Sequence, residues 1–158
     1  MSYTINIDGS CGPINPGGTA GWGMVVKQDG VKVYENGGEV GRGEKMSNNV
    51  AEWYAFGRAL DWFEEHGETG TILTDSQLVV HQASGRWRIK RGLYKDYALE
   101  AVLKYRSMKR RPVVKWIPRE QNEEADFLAE VEEVELEDLC EICNETRPLI
   151  GGICSRCR

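Results

Sequence analysis

Four carboxylates in this chain sit where chemistry could be done. Asp8 closes the alternating run Tyr3-Thr-Ile-Asn-Ile-Asp8, and Asp75 follows the short run Thr71–Thr74. Glu52 leads a row at helical spacing, Glu52, Phe56, Leu60 and Phe63, and Asp126 lies between Ala125 and Phe127. Each alone has a plain structural use, as a turn residue, a first-turn acid that suits the helix dipole, or a helix cap. Converging without basic partners beside them, they form a hard-oxygen donor set. Such a set, lacking His and Cys, selects Mg²⁺ or Mn²⁺ over zinc. Two such ions about 4 Å apart activate water and stabilise the leaving oxygen of a phosphodiester.

A second constellation is sulfur-based. Cys140, Cys143, Cys154 and Cys157 are spaced C-x2-C-x10-C-x2-C, which in a cytoplasmic chain reads as a four-thiolate site for one structural Zn²⁺. Two disulfides are the alternative in an oxidising compartment. A module this short cannot bury a core, so its folding is expected to depend on the metal.

The elements that must position the acids follow from periodicity. Tyr3–Asp8 reads as a strand stopped by Gly9, and Ser10–Gly21 as a turn-rich loop with glycines and prolines. Trp22–Lys27 and Val31–Tyr34 flank Gln28-Asp29-Gly30, a hairpin signature, and Gly37–Lys45 reads as a polar connection. Ser47–His66 is the clearest helix, with Ser47 or Asn48 to cap it and Gly67 to end it. Then come a strand at Thr71–Thr74, a helix at Gln77–Ala83, a helix at Tyr94–Arg106, a strand at Val113–Ile117 and a helix at Asn122–Val131. This order predicts an α/β fold with a five-stranded mixed sheet. Strands beginning at Tyr3, Thr71 and Val113 are parallel because helices separate them. Ligands then gather at the carboxyl ends of those strands, where Asp8 and Asp75 emerge together.

Four segments in order, Asp8-Gly-Ser-Cys, Asn48-Asn-Val-Ala-Glu52, Thr74-Asp-Ser-Gln77 and Pro118-Arg-Glu-Gln-Asn-Glu-Glu-Ala-Asp126, resemble the successive motifs of type 1 ribonuclease H. The resemblance covers residues 1–131 and implies a ribonuclease H catalytic domain there. Residues 132–158 then form an acidic connector and the zinc-ribbon-like module. The resemblance also implies an endonuclease that cuts the RNA strand of RNA–DNA hybrids with two metal ions, leaving 5′-phosphate and 3′-hydroxyl ends. Carried over by position, Asp8, Glu52, Asp75 and Asp126 match the family's metal-binding carboxylates. Cys11, Asn15, Asn48, Asn49 and Gln77 match its backbone and minor-groove contacts, and Asn122 resembles a supporting or substrate-contacting amide. Amides at the mouth of such a site can reach 2′-hydroxyls, which mark the RNA strand.

Two departures accompany the resemblance. Many members carry a histidine in the loop before the last aspartate, but Trp116–Asp126 has none, and Arg119 or Glu120 occupies that neighbourhood, as in the histidine-free branch. His66 and His81 read as structural. Many bacterial relatives also insert a basic helical handle after the motif containing Asp75. This chain has the compact segment Arg86-Trp-Arg-Ile-Lys-Arg91 instead.

Charge and composition set the remaining bounds. Residues 1–127 balance 17 Lys and Arg against 17 Asp and Glu, so the tail supplies the whole net charge of −5. Arg86–Arg119 holds 12 basic residues against Asp96 and Glu100, a footing for a polyanion despite the acidic total. With 41% hydrophobic residues the chain can bury a core, and no run reaches the roughly 20 apolar residues of a membrane span. Met1–Asp8 lacks the pattern of a secretory signal, so the expected location is cytoplasmic. The zinc module has few cations, which suits a staple or a contact for a protein partner better than a nucleic-acid reader. The alternative readings are a non-catalytic hybrid- or RNA-binding module on the same fold, and a metal-dependent nuclease of that fold acting on another nucleic-acid structure.

Overall fold

The computed structural model describes residues 3–130 and the backbone of a small strand pair, Leu149–Ile150 with Ile153–Cys154. The acidic connector and the proposed zinc ligands Cys140, Cys143 and Cys157 lie outside the described residues, as does the side chain of Cys154.

Five strands form one sheet in the order β3-β2-β1-β4-β5. β1 (Tyr3–Gly12), β2 (Thr19–Gln28) and β3 (Val31–Arg42) are antiparallel neighbours, while β4 (Gly70–Thr74) and β5 (Val113–Trp116) run parallel to β1. The helices are α1 (Asn48–His66), α2 (Gln77–Ala83), α3 (Lys95–Ser107) and α4 (Glu123–Ala129). The α/β class, the five strands and the parallel trio match the expectation from sequence.

Helix α1 is the main packing element. Ser47 is its N-cap, accepting the Val50 N–H at 3.2 Å, and Gly67 ends it in the left-handed region at φ 61. Trp53, Phe56, Leu60 and Phe63 on its inner face are at most 1% exposed and pack with Ile5, Ile7 and Ile72 of the sheet. Each such side chain contributes about 1.5–3 kcal/mol on burial. His66 stacks on Trp62 and bonds its carbonyl through Nδ1, and His81 packs against Trp87, so both histidines serve packing.

Two glycine-rich stretches read from sequence as breaks are strand. β1 does not stop at Gly9: Ser10, Cys11 and Gly12 continue to pair with Gly21, Ala20 and Thr19 of β2. β3 likewise runs on through Gly37 and Gly38, which face Gly23 and Trp22. The glycines are there for close approach rather than for a turn. A Cβ at Gly9 would stand 2.3 Å from the Glu52 nitrogen, and one at Gly23 2.3 Å from the Ala125 carbonyl oxygen. Gly9 therefore lets α1 touch β1 at the level of Glu52, and Gly23 lets α4 rest on β2. The last helix is also shorter than expected, ending at Ala129 rather than Val131.

Gly9→Ala should destabilise the protein by about 1–3 kcal/mol, because backbone must move to admit the methyl group. Thermal melts of the two proteins check this. Equal melting temperatures would show that α1 does not press on β1 as described.

Candidate metal and nucleic-acid site

The parallel register brings the acids together. The last β1–β4 pair is Ile7 with Thr74, so Asp8 and Asp75 both stand one residue beyond it, on adjacent strands. Glu52, on the second turn of α1, is carried to the same point by the contact at Gly9. Asp8, Glu52 and Asp75 each present a carboxylate oxygen within 4.8 Å of the others. Asp126 lines the same cleft but stands outside that trio, with its Oδ1 3.9 Å from Arg119 Nη2. The cleft has a volume of about 560 Å³, and its walls include Cys11, Asn15, Asn48 and Asn49.

Electrostatically this is an unbalanced site. Glu52 is 5% exposed, and its Oε2 is buried with no hydrogen-bond partner. Burial, reinforced by the charge of Asp8, holds its carboxyl well above the ordinary range. Burial likewise pushes Asp8 up to about 8, with Asp75 adding to the rise. Asp75 is raised by burial too, though a hydrogen bond with Asp8 and the charge of Arg119 oppose the shift. Arg119 is the only cation among the described residues lining the cleft, and its side chain is 79% exposed. Buried, mutually repelling carboxylates with one unsatisfied oxygen fit a hard divalent cation.

The amides expected at the mouth have distinct placements. Asn15 and Asn48 clasp each other: Asn15 Nδ2 donates to Asn48 Oδ1 at 2.9 Å, and the Asn48 N–H donates to Asn15 Oδ1 at 3.0 Å. This ties the loop after β1 to the start of α1. Cys11, near the end of β1, donates its S–H to the Ile14 carbonyl of that loop at 3.2 Å. Gln77, exposed at the start of α2, lies one residue past the cleft-lining Ser76 and is not part of the wall.

Of the two readings offered for Asn122, its placement is that of a supporting amide. It is 1% exposed, its Nδ2 donates to the Ile7 carbonyl at 2.8 Å, and its Oδ1 accepts from Asn6 Nδ2 at 3.1 Å. Its backbone carbonyl receives the Asp126 N–H at 3.0 Å. With both ends of the amide spent on β1, Asn122 locks the start of α4 to the strand that carries Asp8. Its role is positional.

Sequence reasoning passed over Trp116. It lines the cleft, and its indole N–H donates to the Asp75 carbonyl at 3.1 Å. Its place at the end of β5, in register with Thr74, was the available signal. Trp87, in the basic segment, is 45% exposed and borders a second cavity of about 480 Å³ with Arg86, Arg88, Lys90 and Tyr94.

The raised acid values fix the sign of a pH dependence. Between the unfolded value of 3.8 and the folded value of about 8, Asp8 binds more proton in the folded state, so stability falls as pH rises through that window. In EDTA the melting temperature should drop between about pH 5 and pH 8, and Asp8→Asn should flatten that drop. A wild-type profile that matches the variant's would refute the assignment.

Comparison with known proteins agrees with this geometry. Residues 6–131 match the reverse transcriptase-like family. The bifunctional protein Rv2228c of Mycobacterium tuberculosis is 38% identical over 133 residues, which are 82% of this chain but 35% of that protein. The chain thus spans about a third of the length of the curated relatives it matches. The solved N-terminal RNase H domain of Rv2228c has a TM-score of 0.70 at 33% identity, covering 82% of this chain and 96% of the other. RNase H1 of Halobacterium salinarum has a TM-score of 0.71 at 29% identity, covering 82% and 95%. LC11-RNase H1, isolated from compost and solved with an RNA/DNA hybrid, has a TM-score of 0.70 at 28% identity, covering 80% and 93%. With its acidic cluster at the carboxyl edge of the parallel strands, this chain belongs to the reverse transcriptase-like family and has the fold of the solved RNase H domains it matches.

Proposed function

We propose that the protein is an endonuclease that hydrolyses the RNA strand of RNA–DNA hybrids, leaving 5′-phosphate and 3′-hydroxyl ends. The observation that carries this reading is the Asp8, Glu52 and Asp75 cluster, three oxygens within 4.8 Å of one another at the base of an open cleft. Asp126 at the cleft wall completes the set of four acids that would hold two Mg²⁺ or Mn²⁺ ions. Two ions there supply an activated water and charge stabilisation at the leaving oxygen.

The chain's own residues do the rest. Asn48 and Asn49, half-buried at the start of α1, offer amide groups on the wall of the same cleft as the acids. Such groups read a 2′-hydroxyl, the handle that separates RNA from DNA. Arg119, opposite Asp126, offers a mobile-length cation to a phosphate near the acids. The exposed Arg86, Arg88, Lys90 and Arg91 supply a footing for the backbone away from the cut. The hybrid-bound LC11-RNase H1 supports this choice of substrate. Residues 1–131 are the catalytic domain in this reading. Residues 132–158 carry a zinc module on Cys140, Cys143, Cys154 and Cys157 that staples the tail or meets a protein partner. No helix among the described residues is long and apolar enough to cross a membrane.

One labelled RNA strand, offered single, paired with RNA and paired with DNA, tests the proposal. Cleavage of the DNA-paired strand alone is expected with Mg²⁺ or Mn²⁺, and none in EDTA or with Asp8→Asn. Tight hybrid binding without cleavage under either metal would make the protein a binding module. Cutting of the RNA duplex instead would change the substrate class.

A further inference from the structure

Trp116 is held in a way that burial does not explain. It is 47% exposed, yet its ring is fixed at the cleft wall by a hydrogen bond from Nε1 to the main-chain carbonyl of Asp75. The surrounding bonds leave that carbonyl outside both the sheet ladder and the helix. β4 ends at Thr74, whose carbonyl takes the Ile117 N–H at 2.9 Å and whose hydroxyl takes the Ser76 N–H at 3.0 Å. α2 begins at Gln77, with the Ser76 side chain accepting from Val79 and the Ser76 carbonyl accepting from Val80. Asp75 therefore sits between the last rung of the sheet and the first turn of a helix. The indole ties its carbonyl across to β5.

The peptide thus tied carries one of the three clustered carboxylates. The tied carbonyl carbon is bonded to the Asp75 Cα, so a displacement of that carbonyl shifts the atom that bears the carboxylate relative to Asp8 and Glu52, which are held by the β1 ladder and by α1. We infer that Trp116 is a positioning residue for divalent cations: through its indole N–H it sets the Asp75 carboxylate against Asp8 and Glu52. This rests on the proposed metal-dependent reading of the same cleft. Partners that orient a ligand group typically alter metal affinity by about 10–100-fold when removed, and one hydrogen bond to a ligand's backbone belongs at the lower end.

The test compares wild type with Trp116→Phe, which keeps an aromatic ring but removes the N–H. Mn²⁺ binding is measured by calorimetry with no nucleic acid present, well below each protein's melting temperature, and the folding of both proteins is checked by thermal melts in EDTA. Trp116→Phe should weaken Mn²⁺ about tenfold, and Asp75→Asn should abolish most of the difference between the Trp116 forms. Equal Mn²⁺ affinity in the two proteins would overturn the inference. No Mn²⁺ binding by wild type would instead remove the metal reading beneath it. Should Trp116→Phe fail to fold, the wild-type indole N–H resonance serves in its place. Protection from exchange, with a shift at the same Mg²⁺ midpoint as the Asp75 amide, supports the tie. An unprotected, unshifted resonance contradicts it.

Discussion

Everything at this site depends on how closely α1 is allowed to approach β1. Gly9 has no side chain where the Glu52 backbone arrives, and that contact sets a helix carboxylate beside a strand carboxylate. The β1–β4 register then adds Asp75 from the neighbouring strand. The result is an arrangement that folding alone would avoid. Burying like charges together is costly, and the raised values of Asp8 and Glu52 are the direct expression of that cost. The capped α1, with its large buried ring cluster, holds the acids where they repel. A cation that relieves the repulsion turns a structural liability into binding energy.

Supporting bonds cross-link the elements that carry the carboxylates, some beneath the cleft and some along its wall. Asn122 joins α4 to β1 at the residue preceding Asp8, and Trp116 joins β5 to Asp75. The Asn15–Asn48 clasp fixes the loop after β1 against the turn that leads to Glu52. Each ties a different element to the sheet edge where the acids sit. The framework is thus cross-linked at several points, while the open face carries Arg119 and the half-buried Asn48 and Asn49.

Much of this was legible in the sequence, for identifiable reasons. The row Glu52, Phe56, Leu60, Phe63 fixed the inward face of α1, and Ser47 and Gly67 bounded it. Alternation in Tyr3–Asp8 and the short run before Asp75 located the two strand ends. Glycine misled because local rules read it as punctuation. Gly9 and Gly37 are instead places where another element presses on a strand, a tertiary fact with no local signature. Asn122 carried two readings, supporting or substrate-contacting, because a polar residue near an aspartate suits either until its buried partners on β1 are seen. Trp116 went unremarked because a tryptophan at a strand end looks like core, and only its exposure and its bond to Asp75 say otherwise.

The central claim is that the buried acids form a cation site whose protons leave when the cation arrives. Calorimetric titration of the wild-type protein with Mg²⁺ near pH 7, in two buffers of different ionisation enthalpy, measures metal binding and proton release together. The account predicts saturable binding with net release of protons, and loss of that release in Asp8→Asn. Binding with no proton release, or no binding at all, would contradict it.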